Sequence, residues 1–445
     1  MNVKSTLLVI SAIGLFGYLV YRSEDATTRK PVANRVTVLY WEKWTGDEAQ
    51  KMRVIVNNFN ASQDKIFVKM LSISGIADKT LLAASGGNPP DVAGLWDTQM
   101  TQFKDAGALT DLSELAAEFN LKKEDYIPNY WQMMSPGGTL IAFPTTPAST
   151  ALHMNKRFLG PGELPPETIE ALDAYTERVS KVSANGKVEV AGFLPAEPGW
   201  WNWGWGYVFG GKLVDNGVLT VNAKENVRAF EWVKSYSKRF GVRETQNFQS
   251  GFGNFSSPQN PFMGEKVTAV MQGVWMANFI NLYNKNIPWI AAPFPYPKDR
   301  PDLKNTNFLG MDTLVIPRGA KHKKEAFTFI AFVQRQDQME LLCSSHGKNS
   351  PLEKCSEAFF KGHLNPYIRL FDELARSPNA RYIPQIGIWP QMNSELLNAF
   401  TEINLGTKSP KVALDAAQSR LEPQWIRYKN QVLSRYTANA EGAQQ

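Results

Sequence analysis

Apolar positions change their period along this chain, and the changes mark out its elements. Val36-Thr37-Val38-Leu39-Tyr40 is a β-branched, apolar run without helical period, which predicts a strand. Gly46-Asp47-Glu48 then opens a stretch where Met52, Ile55, Val56 and Phe59 recur at i, i+3, i+4 and i+7, one buried helix face. Ile66–Met70 predicts a second strand. A helix ending at Gly86-Gly87 follows, and Asp91–Leu95 predicts a third strand. Strand, helix, strand is the βαβ unit of a mixed or parallel sheet covered by helices. A second α/β region runs from about His153 to Lys266, with a helix marked by Val227, Phe230, Val233 and Tyr236. Val267–Met271, Trp289–Pro293 and Asp312–Pro317 predict further strands. Ala326, Phe329, Ile330 and Val333 mark a long amphipathic helix, and the remainder is mostly helical, interrupted by prolines.

The periodic pattern gives way at Gly199-Trp200-Trp201-Asn202-Trp203-Gly204-Trp205. Alternation and helical spacing each send these tryptophans to different faces, so one core does not hold them all and some should face a cavity. For any single one, ordinary core packing is equally open. An indole face suits the C–H face of a pyranose, whose hydroxyls seek amides and carboxylates at the rim, and it also suits a cation.

Composition narrows the class. A chain of 445 residues points to two or three domains, and 43% hydrophobic with 12% aromatic content is that of a packed globular protein. The balance of 48 basic and 42 acidic residues gives +6, spread along the chain. The densest basic stretch, Lys321-His322-Lys323-Lys324, looks like a helix entry, so no nucleic-acid partner is expected. Four scattered histidines and two cysteines leave little for a protein-built transition-metal site, and neither metal nor cofactor is expected. Lys4 precedes an apolar run, Leu7–Tyr21, of signal-peptide length and short for a membrane span. No cysteine follows it, and Glu24 spoils the cleavage signal at Ala26. The expectation is an exported, periplasmic protein whose leader is either cleaved or kept as an inner-membrane anchor. Cys343 and Cys355 flank a Gly-Lys-Asn-Ser-Pro turn, and in an exported chain they are expected to pair as a loop-stapling disulfide; two unrelated thiols is the alternative.

Several segments in register resemble one family. They are Val36–Trp44, Leu81–Val92 with its Gly86-Gly87-Asn88-Pro89-Pro90-Asp91-Val92, and Gly107-Ala108-Leu109-Thr110-Asp111-Leu112. Gly138–Pro144 with Ala151-Leu152-His153-Met154-Asn155-Lys156, and Phe262–Gly273, complete the set. In this order they resemble the extracellular solute-binding proteins of bacterial ABC importers, in the large sugar-binding group that includes maltose-binding protein. Two departures stand out: no lipobox cysteine, and Ile169 where the family usually has Trp after the helix cap, here Thr168. The resemblance implies an α/β protein with two lobes, mixed sheets flanked by helices, joined by crossing hinge strands. The lobes are expected at 34–146 plus 269–312 and at 147–268 plus 313–445, behind a leader and tether at 1–33. It further implies a solute in the cleft, hinge closure, delivery to the permease subunits of an ABC importer, and a monomer.

Loops at the carboxyl ends of strands face the cleft in open α/β sheets. That rule selects Trp41, Glu42 and Trp44 after the first strand, and Trp96 and Asp97 after the third. Carboxylates there can accept paired sugar hydroxyls; helix capping is their bland alternative. Trp200, Trp201, Trp203 and Trp205 are expected as the opposite wall. Trp275, Trp389, and Met311 with Asp312, at a turn where the family often contacts ligand, complete the candidates. A carbohydrate is the expected solute, with a polyamine the alternative. A glycan-acting enzyme would need two carboxylates at a fixed separation, and neither a Gly-x-Ser-x-Gly nor a phosphate-binding glycine loop occurs.

Overall fold

The structure, a computed structural model, describes residues 34–254 and 257–433. Its strands are β1 (Val36–Glu42), β2 (Ile66–Ser72), β3 (Val92–Trp96), β4 (Phe143–Asn155), β5 (Lys181–Val182), β6 (Val188–Val190), β7 (Val214–Asp215), β8 (Val218–Leu219), β9 (Ala269–Gly273), β10 (Trp289–Ala292), β11 (Asn307–Val315) and β12 (Ala380–Arg381). The expected βαβ unit is present: β1 lies parallel to β2, and the helix Gly46–Ser62 between them buries Met52, Ile55, Val56 and Phe59. The main sheet is mixed, in the order β10-β4-β11-β3-β1-β2, with β9 also on β4 and β12 on β11. Thr168 caps the helix Ile169–Val179, its hydroxyl accepting from Ala171 N–H at 3.2 Å.

Two large hydrophobic cores divide the described residues, with a small third cluster formed by Phe262, Met263, Val270, Met276, Ile280 and Ile287. One gathers Tyr40, Phe59, Leu95, Phe143, Leu314 and Phe329; the other gathers Phe193, Trp205, Trp232, Phe294, Phe400 and Trp425. Among the described residues the chain passes between them five times; two of the passages, from Met271 to Val274 and from Ala291 to Phe294, flank the helix Met276–Tyr283. Ala148 and Ala151 of β4 belong to the first core, and Leu152 and Met154 to the second. On β11, Phe308 lies in the second core while Leu309 and Met311 lie in the first. Beyond β12, Ala380 is in the first and Ile383 in the second. β4 and β11 therefore run through both lobes, side by side and antiparallel.

Beyond the boundary expected at 312/313, residues from Leu314 to Ala380 pack on the first core. Helices Lys323–Val333, Gln336–His346 and Ile368–Ala375 fold back on the first lobe, where Phe329 meets Tyr40 at 5.6 Å and Phe59 at 5.3 Å. The last crossing is marked only by a two-residue strand, too short to signal itself in sequence. The leader, tether and anchor expectation falls on 1–33, outside the described residues. Among the described residues no helix is long and apolar enough to cross a membrane.

Candidate functional site

The end of β1 builds the site's floor. Alternation along the strand places Val38, Tyr40 and Glu42 on the buried face and turns Trp41 to the other side, where it packs half-buried on the first core. Glu42 lies across β3 because residue 94 is glycine: a Cβ there would stand 2.4 Å from Glu42 Oε2. The Tyr40 hydroxyl and, at 3.0 Å, the Trp44 N–H donate to this carboxylate. Glu42 is 0% exposed and lies beneath the site's surface. Its role is to hold Lys43, whose Nζ lies 3.5 Å away.

Asp312 receives the same ammonium from the other side. A register shift between Met311 and Thr313 bulges β11 here, and Asp312 Oδ1 stands 3.3 Å from Lys43 Nζ. Its Oδ2 accepts from Lys348 Nζ at 2.6 Å and from Thr146 Oγ1 at 2.8 Å, and Lys348 also donates to Thr146 at 3.0 Å. Burial alone would raise the Asp312 pKa, but Lys348 and Lys43 outweigh it and hold the carboxyl well below the usual range. Burial would likewise lower Lys43, and the Asp312 and Glu42 charges raise it past its ordinary value. The result is a buried, alternating set of two ammonium and two carboxylate groups, all on the first lobe and the crossing strands.

Aromatic faces surround these charges. Lys43 Nζ lies 4.5 Å from the Trp44 ring and 5.6 Å from Trp96; Lys348 Nζ lies 5.7 Å from Trp44 and 5.8 Å from Trp275. Buried His346 backs Trp44 at 4.5 Å. Trp275 folds back over Gly273, where a Cβ would meet its ring at 2.4 Å. It approaches Trp200 at 6.0 Å and Trp201 at 6.4 Å, and Trp201 anchors itself by donating its N–H to Met271 O at 3.1 Å. Indoles of both lobes thus meet over the ionic floor, and Trp96 and Trp200 remain 44% and 37% exposed. Asp97, half-buried at the start of the helix Asp97–Asp105, accepts from Thr98 N–H and from the Met311 backbone. Burial first, and the Asp312 charge second, raise its pKa to about 7.

Of the expected residues, Trp44, Trp96, Asp97, Trp200, Trp201, Trp275 and Asp312 come together. Others do not. Trp205 is 0% exposed in the second core, boxed by Trp232 at 5.4 Å and Phe294 at 5.6 Å. Trp203 and Trp389 are buried edge to face against each other at 5.6 Å, with Phe308 5.0 Å from Trp203. Met311 is buried in the first core and contributes only its backbone. Trp41 and Glu42 support the floor from behind. Cys343 and Cys355 are free thiols, not a disulfide: Cys343 Sγ packs at 3.7 Å from Thr145 O and Met339 Sδ inside the first core. The sequence reading missed Lys43, Lys348 and Thr146.

Comparison with known proteins is consistent with this architecture. The profile of the bacterial extracellular solute-binding protein family matches residues 55–357. A curated relative, the arabinooligosaccharide-binding protein of Bacillus subtilis (strain 168), is 22% identical over 310 residues, 67% of this chain. The chain spans 65% of that relative's length. Among solved structures, CpMnBP1 with mannotriose bound superposes with a TM-score of 0.75 at 23% identity, over 86% of this chain and 99% of that one. The GacH receptor of Streptomyces glaucescens GLA.O, solved unliganded and with acarbose, gives 0.68 at 18% identity, over 89% and 98%. The cyclic alpha-maltosyl-1,6-maltose binding protein from Arthrobacter globiformis gives 0.68 at 19% identity, over 88% and 99%.

Proposed function

The chain belongs to the bacterial extracellular solute-binding protein family, and from that premise we propose that it captures a carbohydrate outside the cytoplasmic membrane and delivers it, as a monomer, to the permease of an ABC importer. The observation that carries this reading is the aromatic enclosure: Trp44 and Trp96 on one lobe, Trp200 and Trp201 on the other, and Trp275 between them, over a charged floor. Sugar rings stack on such faces while their hydroxyls meet ammonium and carboxyl groups. The names of the relatives, which bind arabino-, manno- and malto-type saccharides, support the same class. Glu42 and Asp312 balance Lys43 and Lys348, so the paired groups of the floor suit a neutral solute.

Titration calorimetry and thermal denaturation against arabinotriose, mannotriose, maltotriose and spermidine test the reading. Binding to the native state raises the melting temperature by mass action, by ~2.7 kcal/mol of stability at a hundredfold excess over Kd. At least one sugar should shift the transition and spermidine should not. A shift with spermidine alone overturns the carbohydrate assignment.

A further inference from the structure

Among the described residues no lysine forms an ion pair with Asp97, and the Lys43 charge acts on it less than burial and Asp312 do. Asp97 follows β3 directly, and β3 pairs with β11 so that Trp96 lies opposite Asp312, bringing two carboxyl groups to the same corner. Its hydrogen-bond donors are neutral backbone groups, Thr98 N–H at 2.9 Å and the Met311 backbone. The neighbouring cations are committed elsewhere: Lys43, after β1, to Asp312 and Glu42, and Lys348, from the loop after helix Gln336–His346, to Asp312 and Thr146. His346 adds no charge, since burial and the adjacent lysines keep it neutral. Glu48, on the helix after β1, is itself held above its ordinary value by burial.

We propose that closure on a sugar drives a proton from solvent onto Asp97, so that capture takes up a proton and the carboxylic acid donates its O–H to a sugar oxygen. This rests on the carbohydrate reading above. Asp97 is half-buried, so water still reaches its ionised form before capture. Replacing that water by a neutral sugar leaves a carboxylate beside Asp312 with only the Lys43 charge to oppose it, and desolvation favours its neutral form. Burial and the Asp312 charge raise the Asp97 pKa to about 7, so capture at neutral pH takes up a fraction of a proton, and a larger one as the pH rises toward the sugar-loaded value. Affinity should then fall by up to about tenfold per pH unit on the alkaline side.

Calorimetry in buffers of low and high ionisation heat, phosphate and Tris, with the sugar that binds from the same panel, counts that proton. The expected result is a binding heat that shifts with buffer in the direction of uptake, and a buffer dependence that Asp97→Asn removes. Carbon NMR of the Asp97 carboxyl, free and sugar-loaded, gives a second readout that needs no variant: its midpoint should move upward on loading. Equal heats in both buffers, uptake that persists in Asp97→Asn, or a midpoint that stays or moves down each overturns the proposal. If no sugar binds in either buffer, the carbohydrate reading itself fails and this inference falls with it.

Discussion

Trp200 and Trp205 carry the same side chain within one loop and do different work. Trp205 is fully enclosed by Phe193, Trp232 and Phe294, whereas Trp200 lies across from Trp275 with over a third of its surface free. Trp205→Ala should therefore cost about 3–5 kcal/mol of folding stability through the cavity it leaves, read by chemical denaturation. Trp200→Ala should cost less stability than Trp205→Ala and weaken sugar binding in calorimetry; the reverse pattern would refute the assignment of faces. Composition alone identified the cluster, but a run with neither strand nor helix period could not apportion its members. Lys43 was within reach of the sequence, because it stands between Glu42 and Trp44 and pairs with that indole. Lys348 was not: only the folding-back of a distant helix brings it to Asp312. That pair also has a pH signature. Asp312's depressed pKa contributes stability that is present above the unfolded-state value and is lost as pH falls through the folded one. Asp312→Asn leaves buried Lys348 without its carboxylate and Lys43 with Glu42 alone, should cost ~3–5 kcal/mol near neutrality, and should flatten the acid limb of a stability–pH curve.

At the scale of elements, those with a clean apolar period were legible: β1, β2, β3, and the helices Gly46–Ser62, Lys224–Phe240 and Lys323–Val333 stand where expected. The longest strand, β4, was not recognised as one. Its sequence carries Pro144 and Pro147 among small polar residues, which argues against a central strand, yet all its residues are buried. It can exist because β11, its partner, breaks register at the Met311 bulge, beside Pro147, so the missing N–H groups fall where the ladder is already interrupted. Packing of strands also sets the floor. Gly94 on β3 leaves Glu42 the room from which it holds Lys43, so Gly94→Ala should push the carboxylate aside. The expected loss is about 1–3 kcal/mol of stability, accompanied by weaker sugar binding because Lys43 loses one of its two carboxylates. A Gly94→Ala protein with parental stability and affinity would show that Glu42 has no such hold.

For the whole molecule, the division of labour between lobes decides how capture proceeds in time. The charged groups of the floor belong to the first lobe or the crossing strands: Glu42, Lys43, Asp97, Asp312 and Lys348. From the second lobe come the indoles Trp200 and Trp201, which approach Trp275. A sugar can thus make its polar contacts on the first lobe alone, and the second lobe then closes over it as a lid. Contacts formed at that later stage act on escape and not on encounter. In stopped-flow experiments monitored by tryptophan fluorescence, Trp200→Ala should raise the dissociation rate, by about tenfold for an aromatic contact worth ~1.4 kcal/mol, and leave the association rate unchanged. Trp96→Ala, which removes a face from the first-lobe landing site, should slow association as well. Equal effects of both variants on both rates would mean that the lobes engage the sugar together, and the order of events proposed here would be wrong.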